Sequence, residues 1–238
     1  MILLEVAVDD AEGLAAAVRG GAGRIELCSA LEVGGLTPSA GLMALAARCG
    51  RPVYAMIRPR SGGFCYGADE LAVMEADIGA ARAAGLSGVV FGALTGAGAL
   101  DVPAMRRLCG AARGMGVTLH RAFDLTADWR EALEAAIGLG VERILTSGHA
   151  GSAPAGAARL AEVMAAAAGR IAVMPGAGIS AETLGALAGL ALREVHASCA
   201  APLTPAPEEL TLGFASAGAR RTDEGRVAAL VAALGALG

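Results

Sequence analysis

Short runs rich in β-branched and other apolar residues recur along the chain at Ile2–Val8, Arg24–Cys28, Pro52–Ile57, Gly88–Phe91, Val117–Arg121, Arg143–Thr146, Arg170–Met174 and Arg193–Ser198. Between them lie Ala-rich stretches with helical content: Ala11–Arg19, Ser39–Arg48, Glu70–Ala84, Val102–Arg113, Trp129–Leu139 and Ala157–Ala168. Strand alternating with helix marks a parallel sheet. Eight such units in 238 residues predict an α/β protein, a (β/α)8 TIM barrel forming one domain over residues 1–238. Gly20-Gly21, Gly85 and Gly140 follow helical stretches where a C′ glycine belongs, and Ser180 with Glu182 and Thr183 reads as the opening of a further helix. Residues 199–221 read as a long irregular loop before a last helix at about Asp223–Leu234. Loops at that end of a barrel often cover a site, and a connection without a role is the competing reading.

Side chains alternate along a strand, so each run splits into a helix-facing and a barrel-facing set. Ile2, Leu4, Val6 and Val8 face helices, which turns Leu3, Glu5 and Ala7 inward. The same rule sends Glu26, Cys28, Tyr54, Met56, Arg58, Thr118, His120, Glu194, His196 and Ser198 to the interior. Barrel interiors are normally filled by bulky branched residues. Here carboxylates, Arg and His stand in their place, and buried charges are costly unless paired. The deepest, Glu5 and Glu194, therefore read as a structural polar plug, and Glu26 and Arg58 are expected to share one buried charge network. Cys28, Arg58, His120 and Ser198 fall at strand C-termini, where barrel enzymes carry their chemistry.

Composition narrows the function classes. The chain is 55% hydrophobic, largely through Ala and Gly, and has no apolar run long enough to span a bilayer, so no membrane partner is expected. MILLEVAVDD lacks a basic leader region and reads as a first strand, which points to a cytoplasmic protein. A net charge of −4 without a basic cluster argues against nucleic acid. The chain contains no lysine, so its 19 basic residues are all Arg, and Schiff-base chemistry and a P-loop are excluded. Five scattered cysteines without a CxxC pair argue against disulfides and a zinc finger. Cys49 and Cys109, on helices, read as packed small hydrophobes, and His149, in a Gly-rich loop, as solvated.

Several segments carry candidate chemistry. Met56-Ile57-Arg58-Pro59-Arg60-Ser61-Gly62-Gly63 leaves the third strand with two arginines, whose forks suit a carboxylate or phosphate. His120-Arg121-Ala122-Phe123-Asp124 ends the fifth strand with a titratable ring, a cation and an acid, and Thr146-Ser147-Gly148 ends the sixth. Pro175-Gly176-Ala177-Gly178-Ile179-Ser180 after the seventh is a glycine loop opening a predicted helix, a way of presenting N–H groups to an anion.

Taken in order, IELC, GGLTPS, MIRPRSGGFCY, VVFGAL, TLHRAFD, ILTSG, MPGAGI and EVHAS closely resemble the CutC family over about Leu3 to Ser198. The resemblance implies a TIM barrel and a role in copper homeostasis through cytosolic copper(I) binding. It also implies a metal site built from inward cysteines. Some relatives carry two, one in the first strand and one ending the second; this chain keeps Cys28 but has Ala7 at the other position. Copper(I) seeks thiolate and thioether, so Cys28 is the candidate metal ligand, helped by Met56, Cys65 or a histidine.

The residues themselves keep a second reading open: an enzyme acting on a small anionic, phosphorylated or unphosphorylated, metabolite. Arg58, Arg60, Ser147, Gly176, Gly178 and Ser198 would then bind the anion, and Glu26, Arg58, His120 and Asp124 are the candidate catalytic residues, with His120 or Glu26 as general acid or base. The expected partner is thus a copper ion or a small anionic ligand, and a homo-oligomer is compatible with either.

Overall fold

The computed structural model describes residues 2–237. Eight parallel strands form the barrel: β1 (Leu3–Val8), β2 (Arg24–Leu27), β3 (Val53–Met56), β4 (Gly88–Phe91), β5 (Gly116–Leu119), β6 (Arg143–Thr146), β7 (Ala172–Pro175) and β8 (Glu194–Ala197). They pair in the order β7-β6-β5-β4-β3-β2-β1-β8. β7 and β8 lie side by side without a ladder between them, so the barrel is nearly closed. Helices α1 (Ala11–Arg19), α2 (Ala40–Ala46), α3 (Ala68–Ala83), α4 (Val102–Ala111), α5 (Trp129–Gly138) and α6 (Ala157–Ala167) follow the first six strands. Several start as their sequences dictate. Ser39, Asp101 and Asp128 accept from the first free backbone N–H groups of α2, α4 and α5.

The strand-to-helix rhythm breaks after β7. Ser180 and Thr183 do exchange local hydrogen bonds, but the segment forms only turns and a short 3-10 helix at Leu184–Leu187. Gly185 and Gly189 each weaken an α-helix by about 1 kcal/mol, which a segment this short does not recover. The stretch after β8 also departs from the expected loop. Antiparallel strands β9 (Ala200–Pro202) and β10 (Arg220–Thr222) flank a short helix α7 (Pro207–Thr211), and helix α8 (Glu224–Leu237) closes the chain. Thr222 Oγ1 donates to the carbonyls of Ala7 and Ser198, and Arg221 pairs with Asp10 and Glu12, so the base of this hairpin is fastened to the barrel rim. Residues at its tip carry exposed apolar side chains, Leu212 and Phe214.

The main apolar core lies between the sheet and the helices, with Val6, Val8, Ile25, Leu27, Val89, Phe91 and Leu119 fully buried on the outer face of the strands. Inside the barrel the register puts Glu5 beside Arg24 and His196, and Tyr54 beside Gly88, which in turn pairs with Gly116. Those two glycines are required by a close approach. A Cβ on Gly88 would stand 2.2 Å from the Tyr54 ring, and one on Gly116 2.2 Å from its hydroxyl, so the ring lies flat across the barrel floor. No helix among the described residues is long and apolar enough to cross a membrane.

Candidate functional site

The interior divides into a floor and a mouth. At the floor Arg24 pairs with Glu5 and, at 2.7 Å, with Glu194. Arg143 takes the other Glu194 oxygen at 3.0 Å and donates to Thr118 and Glu142, and Tyr54 bonds Glu142 at 3.0 Å. Both guanidiniums lie over the Tyr54 ring, 5.3 and 4.9 Å from its centroid. Each buried charge therefore has an opposite charge in contact, the condition under which such groups are tolerated. The sequence reading named Glu5 and Glu194 but passed over Arg24 and Arg143. The signal for Arg24 was its strand parity with the inward Glu26, whereas Arg143 is brought beside Thr118 only by the pairing of β5 with β6.

Above the floor, His196 links two carboxylates. Its Nδ1 bonds Glu5 Oε1 at 2.9 Å, and its Nε2 stands 3.7 Å from Glu26 Oε2. Burial resists ionisation of Glu5, but the His196 hydrogen bond and the charges of Arg24 and His196 outweigh it and hold the carboxyl at about 2. Burial likewise opposes the imidazolium of His196, yet Glu26 and Glu5 together raise its pKa. Glu26 is shifted opposite to Glu5: burial, with the nearby charge of Glu5, raises its carboxyl against the opposing charge of His196. Glu5, Glu26 and His196 thus gather as donors of the kind that hold metals. Both Glu5 oxygens are already taken, by Arg24 and His196, whereas Glu26 keeps Oε1 without a partner.

The mouth is a cavity of about 1200 Å³ at the C-terminal ends of the strands. Glu26, Met56, Arg58, Phe64, His120 and His196 line its depth, and Arg220, Asp223 and Arg226 from the hairpin and α8 form one wall. Cys28 lies just behind the lining, fully buried, with its Sγ 3.6 Å from Glu26 Oε2. It packs in one cluster with Tyr54, Met56 and Val90. Burial and then the Glu26 carboxylate push its thiol well above the ordinary value. Cys199, one of the five scattered cysteines, also lines the mouth, its thiol raised to about 11 by burial.

Several expected partnerships do not form. Glu26 and Arg58 are not a pair: Glu26 contacts Cys28 and His196, while Arg58 donates from Nη1 to the carbonyls of Val33 and Gly35 and from Nη2 to that of Gly62. Arg60 turns away from Arg58, pairs with Glu70 of α3 and closes its own loop on the carbonyls of Ser61, Gly63 and Cys65. The glycine loop opens no helix. Gly176 gives close passage to Leu145 and His196, since a Cβ there would stand 2.4 Å from Leu145 Cδ1 and 3.2 Å from His196 Cβ. Gly178 lines the mouth, as does the exposed Ser198, whose carbonyl accepts from Thr222.

Asp124 is a structural hub. Its carboxylate accepts from Thr146 Oγ1, from the backbone N–H groups of Ser147 and His149, from the Ser147 hydroxyl and from Arg121. Burial opposes this charge, but those donors hold the pKa below the usual carboxylate range. Ser147 is consumed in the same knot, between Asp124 and the Ala150 carbonyl. His149 is not simply solvated: its ring packs edge-on against Phe123 at 5.4 Å. His120 accepts from the Ala122 N–H at Nδ1, lies 4.7 Å from the Phe64 ring, and is held neutral by burial and by Arg58, with a pKa of about 3.

A (β/α)8 barrel with a charge-neutralised floor and an open mouth holding Glu26, Arg58 and His120 behind a C-terminal hairpin defines the class. Comparison with known proteins supplies the family. The CutC family model matches residues 2–201, and the chain belongs to that family. It is 56% identical to a family protein CutC of Sinorhizobium medicae, over 99% of this chain and 97% of that protein. A CutC of Caulobacter vibrioides is 49% identical over 99% of this chain and 98% of its own length. Among solved structures, a Streptococcus agalactiae CutC, whose description proposes a role in copper homeostasis, matches with a TM-score of 0.77 at 30% identity, over 83% of this chain and 99% of that one. KGPDC from Streptococcus mutans, with a TM-score of 0.62 at 13% identity over 100% of this chain and 99% of its own, shares the fold.

Proposed function

We propose that this chain is a cytoplasmic copper homeostasis protein that binds copper(I) as cargo, with Cys28 as the thiolate donor and Met56 as the second sulfur. One observation carries the reading. Cys28 and Met56 converge on Gly35, where a Cβ would lie 3.1 Å from Cys28 Sγ and 3.6 Å from Met56 Cε. A thiol beside a thioether in a buried neck is the soft donor set that copper(I) prefers over harder cations. Ala7, in register with Glu26, stands where some relatives place another cysteine, so a single thiolate serves here. The Cys28 proton must leave when metal binds, and Glu26 Oε2 is the neighbouring acceptor. Affinity should therefore rise with pH. Titrating wild type, Cys28→Ser, Met56→Leu and Cys199→Ser against a copper(I) competitor tests the assignment. Cys28→Ser should lose tight binding and Cys199→Ser should keep it; equal affinity in wild type and Cys28→Ser would refute the reading.

A further inference from the structure

Three cavity-lining residues carry buried polar atoms without a hydrogen-bond partner in the protein: Glu26 Oε1, Arg58 Nε and His120 Nε2. The three residues are only 3%, 6% and 4% exposed. A buried polar group left unmet costs about 1–3 kcal/mol, and here three come from the ends of three different strands.

Their chemistry is complementary to one kind of ligand. Arg58 is a buried cation whose Nη atoms are met by neutral carbonyls, and it has no carboxylate partner among the described residues, in contrast to Arg24 and Arg143. Its Nε–H has no hydrogen-bond partner in the protein, and the buried Tyr66 hydroxyl, likewise unmet, lies near the same guanidinium. His120 accepts at Nδ1, and its neutral ring therefore carries the proton on Nε2, a second free donor. The two sit against one aromatic ring, Phe64, with the guanidinium carbon 5.1 Å and the imidazole 4.7 Å from its centroid. An unpaired cation beside a second N–H donor calls for an anionic oxygen pair. Glu26 Oε1, an acceptor without a donor, calls instead for an O–H. Backbone strain marks the same place, since Ala30, Ala177 and Cys199 all line the cavity with positive φ.

We propose that the mouth cavity binds a small hydroxylated carboxylate, with its carboxylate on Arg58 Nε and His120 Nε2 and a hydroxyl donating to Glu26 Oε1. The site does not depend on the copper reading. It shares Glu26 with the sulfur pair but does not use Cys28. The anion is held by Arg58 and His120, without Arg60 or the glycine loop.

Calorimetric titration of the metal-free protein at fixed ionic strength tests this, with D-gluconate as probe, hexanoate as a carboxylate without hydroxyls and sorbitol as hydroxyls without a carboxylate. Gluconate should bind wild type at least tenfold more tightly than either control. His120→Phe and Glu26→Leu should each weaken it about tenfold, while keeping the melting transition that shows they fold. Cys28→Ser should bind gluconate as wild type does, whatever its copper affinity. Absence of saturable gluconate binding, equal binding of hexanoate, or indifference to both His120→Phe and Glu26→Leu would overturn the proposal.

Discussion

The floor and the mouth of this barrel are built from the same residue types and solve the cost of buried charge in opposite ways. At the floor, Arg24 and Arg143 clasp Glu5 and Glu194 across the lumen, and the carboxylates of this ring are all engaged. At the mouth, Glu26, Arg58 and His120 are just as buried, yet each keeps an unmet polar atom. Among the described residues, four of the five non-glycine positions with positive φ, Ala30, His149, Ala177 and Cys199, also lie in loops at the strand C-termini. The floor is thus internally consistent, and the mouth carries the conflicts that natural folds concentrate where they act. In barrels generally this division separates stability from chemistry.

The sharpest way to break the comparison is to unpair the floor. Glu194→Ala leaves two guanidiniums without their shared carboxylate and should cost about 3–5 kcal/mol, read as a fall in the urea midpoint. A loss under about 1 kcal/mol would mean the ring is not the clasp described. Acid should attack the same ring. Glu5 titrates at about 2 when folded against an ordinary value of 4.5, so its contribution is complete above pH 4.5 and drains away as pH falls towards 2. Glu5→Gln should flatten that part of the stability profile, and a profile of unchanged slope would contradict the pairing.

At the mouth the effects should be smaller. Glu26→Gln replaces a carboxyl whose burial already disfavours its charge and whose Oε1 is unmet, so stability should change by under about 1 kcal/mol in thermal melts. A loss as large as that of Glu194→Ala would erase the distinction between the two regions. Smallest of all, Ala177→Gly should stabilise by up to about 1 kcal/mol, because φ at that position is +73° and glycine adopts it freely. Destabilisation would show that the Ala177 methyl group packs productively.

The amino-acid sequence alone determined the number and order of the eight barrel strands, most of the residues that turn inward, and the ordered motifs that mark the family. These are local properties, carried by periodicity and by neighbours a few residues apart. It did not determine the partners. Arg24 meets Glu194 across a separation of 170 residues and His196 meets Glu5 across 191, distances over which alternation predicts a shared lumen but no contact. The tilt of the strands and the reach of each side chain then decided that Glu26 faces Cys28 and His196 instead of Arg58. In the same way Glu70, on α3, drew Arg60 out of the mouth, and the carbonyls of Val33, Gly35 and Gly62 claimed the fork of Arg58. The helix expected at Ser180 had its cap but not the propensity to continue, and the segment after β8 became a hairpin because Arg221 and Thr222 found partners on the barrel rim. Inward direction is fixed by the backbone of one strand, whereas pairing in a closed barrel is settled among all eight at once.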